Sequence, residues 1–289
     1  MTDRPPLWQG LSTDAHELQY NPQRAVPTFA DNQARRAPAN ERARATLERR
    51  ADLAFGDHPL HRLDFYPVPG EVRAPIHVFL HGGYWRAQDK QNFAFVAEHL
   101  VGHGIAAAIV NYELCPASTL DGTVGSALEA IAWTARHAAD HGGDPDRLTL
   151  SGHSAGAHLG AAALATDWTL RDLPADLIKG AVLVSGIYDP APAERTTVNA
   201  EIRLTPALIR RHDYERNPVR ARCPVWVVAG GREPWHWIDQ SYRYAHHLHR
   251  EGLDPGVLVL PGRHHFDILD EYMDAGSDLM RRLLATSLA

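Results

Sequence analysis

Six short runs rich in Val, Ile and Leu, at residues 76–80, 105–111, 148–152, 181–185, 225–229 and 257–260, recur along this chain between longer, alanine-rich stretches of helical character. An apolar run that short, with no polar alternation, has no solvent face and needs cover on both sides if it is a strand. The pattern therefore predicts an α/β architecture, a mostly parallel central sheet flanked by helices. Between Ser185 and Cys223 the rhythm fails, and prolines and charges fill a segment too long for a plain connection; a small cap or lid is expected over about residues 187–222. Ahead of the first run, residues 1–57 are polar, arginine-rich and punctuated by proline. They read as an N-terminal arm packed on the main body, with a helix predicted over Ala39–Ala54, just after Pro38. No repeat or low-complexity linker interrupts the strand rhythm, so residues 1–289 are expected to form a single domain.

Composition narrows the function classes. With 44% hydrophobic and 22% charged residues over 289 positions, the chain can bury a large core and is neither a disulfide-stapled module nor a disordered tail. Lys and Arg number 29 against 35 Asp and Glu, a formal charge of −6, and no basic run is long enough to attract a polyanion; neither nucleic acid nor a membrane surface is an expected partner. No window approaches 18 uninterrupted apolar residues, and the opening MTDRPPLWQGLSTD lacks a basic segment followed by an apolar one. A cytoplasmic protein is expected. The two cysteines, Cys115 and Cys223, are too few for a disulfide framework or thiolate metal centre and are expected in the core. Nothing in the sequence sets the oligomeric state.

The sharpest local signal is Leu148-Thr149-Leu150-Ser151-Gly152-His153-Ser154-Ala155-Gly156-Ala157-His158-Leu159. A strand enters Gly-x-Ser-x-Gly and leaves as an alanine-rich helix. The glycines let strand and helix approach closely round a strained turn, which presents the Ser154 hydroxyl at the carboxyl end of the sheet, next to a helix N-terminus that favours negative charge. Ser154 is the expected nucleophile. Acyl transfer at a serine also needs backbone N–H groups aimed at the oxygen that becomes negative. The run ending at Leu80 is followed at once by His81-Gly82-Gly83-Tyr84-Trp85. Gly83 and Tyr84 are the expected donors with Gly82 shaping the turn, and Ala155, the residue after the nucleophile, supplies another.

A serine hydroxyl attacks poorly until an imidazole accepts its proton, and the imidazole needs a carboxylate to set its tautomer. In strand-turn-helix serine hydrolases these follow the nucleophile in the order acid, then His, each on a loop after a strand. Glu233 is the first carboxylate after the run at 225–229; Asp239 comes six residues later, inside the next helical stretch. His265 stands at the start of a final helix predicted from Phe266 to Leu284, and His264 is expected to point elsewhere. Glu233 and His265 are thus the expected orienting acid and base. The histidines in Ala245-His246-His247-Leu248-His249 have the composition of a metal site but no matching acidic ligand pattern, so neither metal nor cofactor is expected.

With those residues in place, the chain resembles the α/β-hydrolase superfamily, and within it the kynurenine formamidase (arylformamidase) family and related bacterial esterases. The resemblance is carried by Glu17-Leu18-Gln19-Tyr20-Asn21-Pro22, His81-Gly82-Gly83-Tyr84-Trp85, Asn111-Tyr112-Glu113-Leu114-Cys115-Pro116, the Ser154 segment, Ser185-Gly186-Ile187-Tyr188-Asp189 and His265-Phe266-Asp267-Ile268-Leu269. It implies an α/β-hydrolase fold that hydrolyses N-formyl-L-kynurenine to kynurenine and formate, with Ser154, Glu233 and His265 as a triad. Family members with that activity tend to carry Asp at the acid position and a small polar residue before the last His, where this chain has Glu233 and His264. Tyr84, Trp85, Tyr188, Trp235 and Trp237 fall on loops expected to surround Ser154, where two or three would line a pocket for an aromatic or short apolar group. An aryl formamidase, a carboxylesterase for small esters and a non-catalytic binding protein of the same fold are the competing functions. The complete set of expected catalytic elements disfavours the last.

Overall fold

The structure is a computed structural model that describes residues 7–289. The first six residues of the expected arm lie outside the described residues. The strands are β1 (Arg50–Ala54), β2 (Arg62–Tyr66), β3 (Ala74–Leu80), β4 (Ala106–Val110), β5 (Gly143–His153), β6 (Ile178–Val184), β7 (Val225–Gly230) and β8 (Gly256–Leu260). They form one sheet in the order β1-β2-β4-β3-β5-β6-β7-β8. From β4 to β8 every pairing is parallel, whereas β2 runs antiparallel to both β1 and β4. The six apolar runs are β3 to β8. The antiparallel pair β1–β2 is an addition that the hydrophobic pattern did not predict, because Asp52 and Asp64 interrupt it. Their carboxylates are instead matched from a distance: the buried Lys90 ammonium lies 2.7 Å from each, and Arg49 lies 3.2 Å from Asp64.

The helices are α1 (Thr13–Tyr20), α2 (Pro22–Ala25), α3 (Phe29–Thr46), α4 (Phe95–Gly102), α5 (Leu120–His137), α6 (Ala155–Ala165), α7 (Asn199–Ile202), α8 (Pro206–Arg211), α9 (Trp235–Arg250) and α10 (Asp278–Leu288). The sheet separates two apolar layers. Ile76, Val78 and Leu80 of β3 point into the layer that holds the buried faces of α5, α6 and α9, while Phe79 points to the opposite one with α3, α4 and α10. That alternation of cover explains why the central strands need no polar face.

Two helix boundaries differ from expectation. The predicted helix at 39–54 is replaced by α3, which starts ten residues earlier, runs through Pro38 and stops at Thr46, so that residues 50–54 are free to pair as β1. Tertiary contacts hold it on both sides of Pro38: Arg36 is buried and donates to the Phe266 carbonyl, and Asn40 donates to that of Asn92. The final helix is likewise split into a 3-10 segment, Asp267–Met273, and α10, which begins where the Ser277 hydroxyl caps the Met280 amide at 3.0 Å.

The cap segment contains a 3-10 turn at Ala191–Arg195 followed by α7 and α8, and it buries Val198, Ile202 and Leu204 in the core. The arm rests on it. His16 Nε2 lies 2.7 Å from the Pro192 carbonyl, and Glu17 accepts from the Thr197 amide at 2.9 Å. Arm and cap therefore meet over the carboxyl ends of the strands.

At the β5–α6 junction, a Cβ on Gly152 would sit 2.2 Å from the Gly156 carbonyl oxygen, and one on Gly156 would sit 1.9 Å from that of Leu80. Both obstacles are backbone, so neither can swing aside. Gly156→Ala is expected to lower the unfolding free energy by about 3 kcal/mol, read from the urea midpoint. A loss below about 1 kcal/mol would mean that α6 can ride away from β3 without cost.

Candidate active site

Ser154 occupies the bend between β5 and α6 with φ 57° and ψ −118°, a strained conformation for a residue with a side chain. Its amide donates to the Val184 carbonyl at 2.8 Å, which ties the bend to the neighbouring strand. The turn thus directs Oγ away from the sheet and toward the loop after β8. There His265 Nε2 lies 2.9 Å from Oγ, and His265 Nδ1 lies 2.6 Å from Glu233 Oε1.

The second carboxylate oxygen, Oε2, accepts from the Gly230 amide at 2.8 Å and from the Ser185 hydroxyl at 3.0 Å. Burial pushes the Glu233 carboxyl up, and those two donors oppose the shift by favouring the ionised form. Burial acts on His265 in the other direction, holding its imidazole well below the usual value and hence neutral at pH 7, as a proton acceptor must be. Asp239 is elsewhere: it lies on α9, paired with Arg243 at 2.9 Å. His264 turns away to Asp267, accepting from that residue's amide with Nδ1.

On the other side of the serine, the loop after β3 carries Gly82, Gly83 and Tyr84. A Cβ on Gly82 would lie 3.2 Å from Ser154 Cβ, so the chain passes in contact with the serine. Gly83 has φ 122°, Tyr84 54° and Trp85 57°, three successive residues in the left-handed half of φ. The amides of Gly82, Gly83 and Tyr84 have no acceptor among the described residues, and Ala155, the first residue of α6, presents its amide at the helix N-terminus. The Tyr84 hydroxyl donates to the Tyr20 carbonyl at 2.8 Å, which anchors the loop to the arm.

The five expected pocket aromatics divide sharply. Tyr84 lines the cavity beside Ser154, together with Pro22, Gln23, Gly83, Arg86, His153, His265 and Phe266. The other four do not. Trp85 is fully buried against the His158 ring behind the serine turn, Tyr188 is stacked on Tyr244 at 4.0 Å, and Trp235 points to solvent with 76% of its surface exposed. Trp237 is buried, with its ring edge-on to that of His265 at 4.8 Å and its indole N–H donating to the Ser185 carbonyl, so it supports the imidazole. Loop position alone does not determine whether an aromatic faces inward or outward, and here packing of cap and α9 against the sheet took three of them.

Three features of this cavity escaped the sequence reading. The arm supplies one wall through Pro22 and Gln23, although its Tyr20-Asn21-Pro22 segment was among the matched motifs. Ser185 donates to Glu233, and its φ of 52° sets that geometry. His153, the first of the two variable residues of Gly-x-Ser-x-Gly, has Nε2 2.7 Å from the His265 carbonyl and so pins the loop after β8.

Lys90 is committed to Asp52 and Asp64. Cys115 is a buried free thiol; Cys223 was expected in the core and is half-buried against it. His247, in the histidine tract, lies 2.8 Å from the Asn217 carbonyl. Among the described residues, His58 and His61 of the β1–β2 turn and Glu113 after β4 are close enough to hold a metal ion, though Glu113 already accepts from His61 and Ser118. Among the described residues no helix is long and apolar enough to cross a membrane.

Comparison with known proteins agrees with this fold. The alpha/beta hydrolase fold family matches residues 77–268. The chain belongs to that family. The kynurenine formamidase of Danio rerio is 32% identical, over 96% of this chain and 97% of that one. Esterase LipQ of Mycobacterium tuberculosis is 30% identical over 70% of this hydrolase and 52% of its own length. A crystal structure of a nominal thioesterase from a Silicibacter species superposes with a TM-score of 0.81 at 27% identity, covering 94% of this chain and 99% of that one. The protein is an enzyme of the hydrolase type.

Proposed function

We propose that this hydrolase is an arylformamidase that cleaves N-formyl-L-kynurenine, or a similar aryl formamide, with Ser154 as nucleophile, His265 as base and Glu233 as orienting acid. The observation that carries the reading is the continuous hydrogen-bonded chain Glu233–His265–Ser154, at 2.6 and 2.9 Å, ending on a strained serine beside free amides. The Danio rerio relative supports the substrate.

Ser154 Oγ adds to the formyl carbon as His265 Nε2 takes its proton, and the imidazolium is held by Glu233 through Nδ1–H. The carbonyl oxygen becomes an oxyanion facing the amides of Gly83, Tyr84 and Ala155, with Gly82 shaping the approach. The tetrahedral adduct collapses, the C–N bond breaks, and His265 returns the proton to the leaving amine. Water, deprotonated by His265, then attacks the formyl-enzyme and releases formate, restoring the Ser154 hydroxyl.

A formyl group is the smallest acyl group, so the wall behind Ser154 can close tightly and leave the binding surface to the leaving group. The esterase relative favours the competing reading, which needs room for longer acyl chains. Across formyl, acetyl, butyryl and octanoyl esters of one phenol, kcat/KM is expected to fall steeply, since each methylene rejected by an apolar pocket is worth about 1–3 kcal/mol. N-formylkynurenine should be cleaved at least as well as the acetyl ester. A flat or rising profile with no formate released from N-formylkynurenine would assign the site to an esterase instead.

A further inference from the structure

The cavity beside Ser154 is one lobe of a longer cleft. A second lobe shares Gln23, Gly83, His153 and Phe266 with it and extends to Gln33 and Arg36 of α3. Arg36 is only 6% exposed. Its Nη1 donates to the Phe266 carbonyl at 3.0 Å and to Asp270 Oδ1 at 3.1 Å, while Nε and Nη2 have no acceptor among the described residues. Asp270 does not neutralise it, because the other oxygen of that carboxylate is 2.5 Å from Arg35. Two guanidinium groups thus share one carboxylate. Asp267, the next acid along, is turned to the His264 amide and ring. Gln33 adds a side-chain amide with no partner among the described residues, and the Phe29 and Phe266 rings, 5.5 Å apart, form an apolar wall.

A nearly buried guanidinium with two nitrogens that have no acceptor among the described residues is stabilised by an anion that brings two oxygens in one plane. We infer that the second lobe is a carboxylate subsite, in which Arg36 and Gln33 hold an acid group carried on the leaving-group side of the substrate. This rests on the reading that Ser154 is the nucleophile, since the two lobes meet at residues that flank it. The substrate class is then an acidic aryl formamide or ester, and neutral analogues of the same shape bind poorly.

The test uses two inert aryl ketones of the same shape, 4-oxo-4-phenylbutanoate and the neutral 4-oxo-4-phenylbutanamide. Their binding to the full chain, to Ser154→Ala and to Arg36→Gln is measured by titration calorimetry, with circular dichroism to check folding. The acid should bind the full chain at least about tenfold more tightly than the amide, with the preference weakening as salt is raised. That preference should persist in Ser154→Ala and vanish in Arg36→Gln. Equal binding of acid and amide to the unaltered chain overturns the subsite whether or not the Arg36 variant folds, and so does a preference that survives Arg36→Gln. Turnover of N-formylkynurenine is read separately: cleavage without the acid preference would leave the reaction standing and remove the subsite, and acid preference without cleavage would do the reverse.

Discussion

Ser154→Ala is expected to lower kcat by about 10⁶-fold, the scale at which loss of a triad nucleophile leaves only the contribution of binding and amide donors. The hydroxyl makes one side-chain hydrogen bond, to His265, so its removal costs the fold little. The strained backbone at Ser154 is held by the Ser154 amide to the Val184 carbonyl and by the close approach of Gly152 to Gly156, none of which involves Oγ. A steady-state assay with N-formylkynurenine and a phenyl ester, alongside a thermal melt, measures both parts. Turnover within tenfold of the unaltered enzyme would remove Ser154 from the mechanism.

The second large effect concerns the acid. Glu233→Gln is expected to reduce kcat by about 10⁴-fold. A carboxamide placed at Glu233 must still accept from the Gly230 amide and the Ser185 hydroxyl at its Oε2 position, which turns its NH₂ toward His265 Nδ1. That forces the proton onto Nε2, where the ring can no longer accept from Ser154. Asp239→Asn, which only weakens a half-exposed pair with Arg243 on α9, should change kcat by about twofold or less. The two variants assayed side by side decide the acid; the reverse ranking would transfer the role to Asp239.

The contrast between Glu233 and Asp239 also shows how far linear order reaches. The proposed nucleophile, acid and base each follow a strand end, and strand ends are legible because an unalternating apolar run stops where its cover stops. The choice of the first carboxylate after β7 over the next one follows from reach, since a residue a full turn inside α9 has moved away from the edge of the sheet. The aromatic wall was not legible in the same way. Trp85 and Tyr188 lie on loops near the serine and Trp237 on the first turn of α9, yet their side chains turn into the core, and of the five expected aromatics only Tyr84 faces the cavity. The loops there take left-handed backbone at Tyr84, Trp85 and Ser185, and nothing in the residue types announces it.

The chain's own pattern determined the parallel strands β3 to β8, the glycine-lined turn at Ser154 and the positions of Gly82, Gly83, Glu233 and His265, because these depend on local periodicity and on residues that permit close backbone approach. Tertiary structure alone decided the antiparallel β1–β2 edge, where Asp52 and Asp64 are matched by Lys90 from far along the sequence. It also decided that the arm, through Pro22, Gln23 and Arg36, walls the cleft, and that Ser185 and His153 hold Glu233 and the His265 loop in place. Those contacts join residues tens to hundreds of positions apart, and a buried charge or hydrogen bond is made by whichever distant group the packing brings to it, a pairing that no local period encodes.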